Sequence, residues 1–108
     1  MKSIYYNGKI ISLIDKLFLE LGDARSRIQN SESKIFDAYI ASSSDGVPDE
    51  IKIKWNTVWK ELNTENDLTD NKGREIRSSL FQTVQRKRNK TMEKYLLFFL
   101  EEYYRIIS

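Results

Sequence analysis

Apolar positions recur every three or four residues along almost the whole chain, the spacing that gathers side chains on one face of a helix. Ile10, Ile11, Leu13, Ile14, Leu17, Phe18 and Leu21 share one such face, and Gly22 follows as a residue that tolerates a left-handed cap. This predicts a first helix from about residue 9, or earlier, to residue 21. Asp23 is a candidate cap for a second helix, whose apolar positions Ala24, Ile28, Ile35, Phe36, Tyr39 and Ile40 carry it to about residue 42. The cluster Ser42, Ser43, Ser44, Asp45 and Gly46 reads as a loop. Pro48 suits the first turn of a third helix, with Asp49 and Glu50 at the positive end of its dipole and Ile51, Trp55, Val58, Trp59 and Leu62 as its stripe. Residues 63–73 are polar apart from Leu68 and read as a second loop, after which Ile76, Leu80, Phe81 and Val84 define a fourth helix. At about 100° per residue, that direction does not continue into Met92, Tyr95, Leu96, Phe99, Tyr103 and Ile106. A break or bend near residues 89–91 therefore precedes a fifth helix, with Thr91 as its candidate cap. With no sustained period-two alternation, the expected fold is all-α: a compact bundle of four to five helices forming a single domain over residues 1–108.

Composition narrows the chemistry. The chain has 108 residues, 40% hydrophobic, 12% aromatic and 31% charged, which suits a small globular domain and not a disordered tail. It contains no histidine and no cysteine, so zinc hydrolases, Ser-His-Asp triads and histidine-dependent ribonucleases are excluded as single-chain proposals. The longest apolar run is the six residues 95–100, far short of the roughly 20 that cross a bilayer. Asp15, Lys16 and Glu20 interrupt the N-terminal segment, which lacks the pattern of a signal peptide. The expected location is the cytoplasm, with no membrane partner.

The net charge of +2 conceals a separation. Residues 43–71 hold three basic and seven acidic residues, a net −4, whereas residues 72–94 hold eight basic and two acidic, a net +6. Glu61, Glu65, Asp67 and Asp70 form a candidate acidic docking surface, able to meet a basic partner by electrostatic steering, or a loop whose charge serves solubility. Arg86, Lys87, Arg88 and Lys90 form a basic run that fits either phosphate contact or a solvated helix end. No zinc-finger or RNP-type aromatic signature accompanies it.

Some polar residues fall on apolar faces. On the fourth helix as read here, Arg77 lies within the arc of Ile76, Leu80, Phe81 and Val84, and Glu32 lies between Ile28, Ile35, Phe36 and Tyr39. A partly buried Glu32–Arg77 pair between the two helices accounts for both; alternatively Arg77 and Arg88 line an anion-binding groove. The last helix is apolar over a wide arc, with Phe98 set apart and Leu97 and Tyr104 pointing a third way. It is either central in the bundle or exposes Leu97, Phe98 and Tyr104 as a homodimer or partner interface.

Arg88 and Asn89, opening the last long helix of a small bundle, resemble the HEPN superfamily, many of whose members are ribonucleases with an arginine, a polar neighbour and a histidine a few residues on. Lys90, Thr91, Met92, Glu93 and Lys94 follow here, so the resemblance implies a catalytically inactive relative. The general plan, a single helical domain with a carboxylate-rich loop, also resembles bacterial immunity proteins and antitoxins. The leading expectation is thus a non-catalytic protein-binding domain of immunity or antitoxin type that neutralises a cognate nuclease toxin through Glu61, Glu65, Asp67 and Asp70. The alternative is a nucleic-acid-associated or inactive HEPN-like module acting through Arg77, Arg86, Lys87, Arg88 and Asn89. No catalytic residue, metal ligand or cofactor is assigned.

Overall fold

Ser3 sets the start of the first helix, its hydroxyl accepting the Tyr6 N–H at 3.1 Å and so satisfying one of the orphan donors of a helix N-terminus. The computed structural model describes residues 3–108. Their order is α1 (Ile4–Leu19), α2 (Ala24–Asn30), α3 (Glu32–Ala41), α4 (Asp49–Leu62), β1 (Leu68–Thr69), β2 (Glu75–Arg77), α5 (Ser79–Arg86) and α6 (Asn89–Ile107). The chain is an all-α bundle carrying one small hairpin, and no helix among the described residues is long and apolar enough to cross a membrane.

Six helices replace the expected four to five because the segment 23–42 is broken at Ser31, which leaves the helical conformation at φ −104° and ψ 14°. The apolar spacing runs through the break, but the two halves serve different neighbours: α2 packs on α5 and α6, whereas α3 packs on α1 and α4. Asp23 does cap α2, through Oδ1 to the Ser26 N–H at 2.9 Å. The first helix ends at Leu19, two residues before the expected limit, and Gly22, with φ +109°, belongs to the turn into α2. Arg27 closes that turn by donating to the carbonyls of Leu17 and Gly22, which replaces the missing helical partners of the α1 terminus. Pro48 sits at the cap of α4, not inside its first turn.

The largest correction concerns residues 63–78. Leu68 and Thr69 pair antiparallel with Arg77 and Glu75 across an irregular register, and Gly73 takes φ +79° in the turn between them. Ile76 and Arg77 therefore lie on an exposed strand, and α5 begins only after Ser78, whose hydroxyl accepts the Phe81 N–H at 3.0 Å. This cap resets the helix start and removes Arg77 from the face it was expected to share with Leu80 and Val84. Between α5 and α6 the break falls at Lys87 and Arg88, close to where it was expected; Arg88 occupies the cap position and Thr91 lies inside the first turn.

A single apolar cluster holds the helices together: Tyr6, Ile10, Leu13, Ile14 and Leu17 from α1, Ile51, Trp55, Val58 and Leu62 from α4, Leu80 and Val84 from α5, Met92, Tyr95 and Phe99 from α6, and Ile28, Ile35, Ala38, Ala41 and Val47. Burying a side chain of this kind contributes about 1.5–3 kcal/mol. Trp55 lies at the centre, stacked on Phe99 at 5.4 Å and edge-on to Phe98 at 5.2 Å. Its indole N–H donates to the Tyr6 hydroxyl at 2.8 Å, and that hydroxyl donates to Oε1 of Glu102 at 2.7 Å. Glu102, 4% exposed, also accepts from Arg105. A buried polar chain thus ties α1, α4 and α6 at one fixed register, with Trp55, Tyr6 and Glu102 each paired as burial requires.

Candidate functional site

The four carboxylates expected to act together are separated by the fold. Glu61 points from α4 to α6, where Oε1 accepts from the Tyr95 hydroxyl at 2.8 Å and from Lys94 at 3.0 Å. Those two bonds, Tyr95 foremost, hold its carboxyl below the ordinary 4.5, while burial and Glu61 push the Tyr95 phenol up. Asp70 organises the hairpin turn, accepting from the N–H groups of Lys72 and Arg74 and from the Arg74 guanidinium. Glu65 meets Arg86 at 3.2 Å, and its backbone is anchored on α5 by bonds with Thr83 and Ser79. Asp67 alone of the four is exposed, and it makes no ion pair among the described residues.

The basic set is divided as well. Arg86 faces Glu65, and the Lys87 carbonyl accepts from Arg25. Asn89 is a bracket: Nδ2 donates to Asp23 at 2.9 Å and Oδ1 accepts the Arg25 N–H at 3.1 Å, which fastens the start of α6 to the start of α2. Arg77 stacks its guanidinium on the Phe81 ring at 4.6 Å. Arg88 and Lys90 are exposed. The expected Glu32–Arg77 pair does not form, because Arg77 is on β2; Glu32 instead accepts the Ser78 hydroxyl at 2.6 Å.

That Ser78–Glu32 bond bridges the hairpin to α3 and shapes a cleft of about 560 Å³ between them, lined by Glu32, Ser33, Phe36, Trp59, Asn63, Glu75, Ser78 and Ser79. Glu32 comes from α3 and Glu75 from β2. Phe36 and Trp59 form the aromatic wall, their rings 5.4 Å apart, with Tyr39 stacked behind Trp59 at 5.0 Å. Carboxylates beside the exposed Phe36 ring and the half-buried Trp59 suit a cationic side chain, which gains both charge-assisted hydrogen bonds and contact with the ring quadrupoles. The same carboxylates repel a phosphate. Sequence reasoning placed Glu32 on an apolar face, which was a usable signal, but missed Glu75 because residues 75–77 read as the lead-in to a helix.

The carboxylates that brace the fold have an acid signature. Glu61, Asp70 and Asp23 all sit below their ordinary values; for Asp23 the Ser26 backbone and then Asn89 are the causes, and for Asp70 the Arg74 backbone. A lowered folded-state value stabilises the native form above the unfolded value and loses that contribution as pH falls through the folded one. The thermal midpoint is accordingly expected to drop as pH is lowered from about 5 to about 3, and to drop less steeply in Glu61→Gln. A midpoint flat across that window contradicts the assignment.

An all-helical bundle with a fixed hairpin over an acidic, aromatic cleft is the class of protein these features define. Compared with known proteins, the chain matches no family model, and no curated protein or solved structure matches it.

Proposed function

We propose that this domain is a non-catalytic protein-binding module that takes a basic partner protein at the hairpin cleft, in the manner of immunity and antitoxin-type proteins that neutralise a nuclease toxin. The observation that carries this reading is the hairpin itself. Both strands are exposed along their length, so they add little to the core, yet the element is fixed by Asp70 in its turn, by the Glu65 backbone at its base and by Ser78 on Glu32. An isolated two-stranded hairpin is marginal in water; one held rigid while contributing little burial is pre-organised for contact, which lowers the ordering cost of binding. Exposed Leu68 and Ile76 supply apolar contact beside Asp67 and Glu75.

A partner lysine or arginine inserts between Glu32 and Glu75 against Phe36 and Trp59. Absence of histidine and cysteine from the sequence favours binding over acid–base or nucleophilic chemistry. The test is affinity capture from the native host with the wild-type chain and with Asp67→Lys/Glu75→Lys, both positions exposed. The wild type should retain one basic protein in stoichiometric amount, and the double variant should lose it while keeping its helical circular dichroism. Equal retention by both overturns the cleft as the contact site, and retention of RNA sensitive to salt favours the basic helix end instead.

A further inference from the structure

We propose that the face formed by α1 and α6 is a self-association surface whose occupant is a second copy of this chain. The two helices run antiparallel: Tyr6 near the start of α1 bonds Glu102 near the end of α6, while Leu17 and Phe18 at the end of α1 share a cavity of about 190 Å³ with Leu96 and Leu100. Their outer flanks are apolar. On α1, Ile4, Ile11 and Phe18 stand seven residues apart and are 88%, 42% and 68% exposed, a repeat that keeps them on one stripe. On α6, Leu97, Tyr104 and Ile107 are each more than half exposed and flank the Leu96 and Leu100 side of the helix. Phe98 is not part of this surface, because it packs against Trp55 on the opposite side.

Area and charge both point to a second copy. Six side chains at these exposures leave on the order of 700 Å² uncovered, taking roughly 200 Å² for a fully exposed large side chain. A monomer seldom leaves more than a few hundred Å² contiguous, and a standard specific interface takes about 800 Å² from each partner. This face carries both signs in small numbers, Asp15 on α1 and Lys90 and Glu93 on α6, all exposed, which suits contact between two like copies, whereas a strongly charged partner finds no complementary field. Because α1 and α6 are antiparallel, a two-fold axis running along them sets each α1 antiparallel to the partner copy's α6 and makes a four-helix seam, as an isologous contact requires. Sedimentation equilibrium tests this: the wild type should have twice the monomer mass at about 10 µM. Phe18→Glu and Leu97→Glu, at exposed positions that spare the core, should each weaken the dimer at least about tenfold while remaining helical. Ile53→Glu, 65% exposed on α4 and away from this face, should leave it intact. A wild type still monomeric at about 100 µM overturns the proposal, as does a dimer that survives both glutamate substitutions. Either outcome is separate from partner capture at the hairpin, which uses other residues.

Discussion

Trp55→Ala is expected to cost about 3–5 kcal/mol, a large part of the 5–15 kcal/mol that holds a domain together. Trp55 is fully buried and touches two rings of α6, and its indole N–H is the donor to Tyr6. Truncation opens a cavity between α4 and α6 that the surrounding helices, tied to one another elsewhere, can only partly fill. It also leaves the Tyr6 hydroxyl without its donor. The thermal midpoint should fall by about 15 °C or more. Trp59→Ala is the comparison: half-buried and stacked on Tyr39 at the cleft wall, it should cost only about 1–2 kcal/mol. Losses of similar size at the two positions contradict a core centred on Trp55.

Glu102→Ala should destabilise by about 2–3 kcal/mol, unusual for a glutamate in a helix, where surface substitutions generally stay within about 0.5 kcal/mol. The Tyr6 O–H loses its acceptor at a buried position, and Arg105 loses the carboxylate that holds it. Tyr6→Phe removes the same bond from the other end. Combined, the two substitutions should cost less than the sum of the singles, with a coupling of about 1 kcal/mol or more in a double-mutant cycle. Additive losses in denaturant titrations rule out the chain from Trp55 through Tyr6 to Glu102 as a unit.

Helices whose burial follows one unbroken stripe were legible in the sequence. The α4 stripe of Ile51, Trp55, Val58 and Leu62 is buried as its spacing required, and the break between α5 and α6 followed from a change in the direction of the apolar face. Ser31 left no trace, because the apolar spacing of α2 and α3 continues across it and only their different neighbours force the bend. The hairpin was illegible for a related reason: strands of two and three residues are too short to alternate, and Ile76 happened to fall in phase with Leu80 and Val84. Ser78 was the overlooked sign, a capping residue directly before the true helix start. Glu102 could have been found, since it lies three residues after Phe99 and seven after Tyr95, on the buried side of α6.

The charge pattern changed meaning once folded. Glu61, Glu65 and Asp70 are absorbed by cations and N–H groups of their own chain, so an acidic segment in sequence is a set of braces in space. Glu32 and Glu75, distant in sequence, instead face one cleft.

The claim that this cleft receives a protein is tested most directly by photo-cross-linking in the native host from a benzophenone residue at Ile76, on the exposed hairpin, with the same group at Lys90 as reference. The expected result is one dominant adduct from position 76 to a basic protein, lost when Glu75 is changed to lysine. Adducts to RNA, or a protein adduct formed from position 90 and not from position 76, would contradict it.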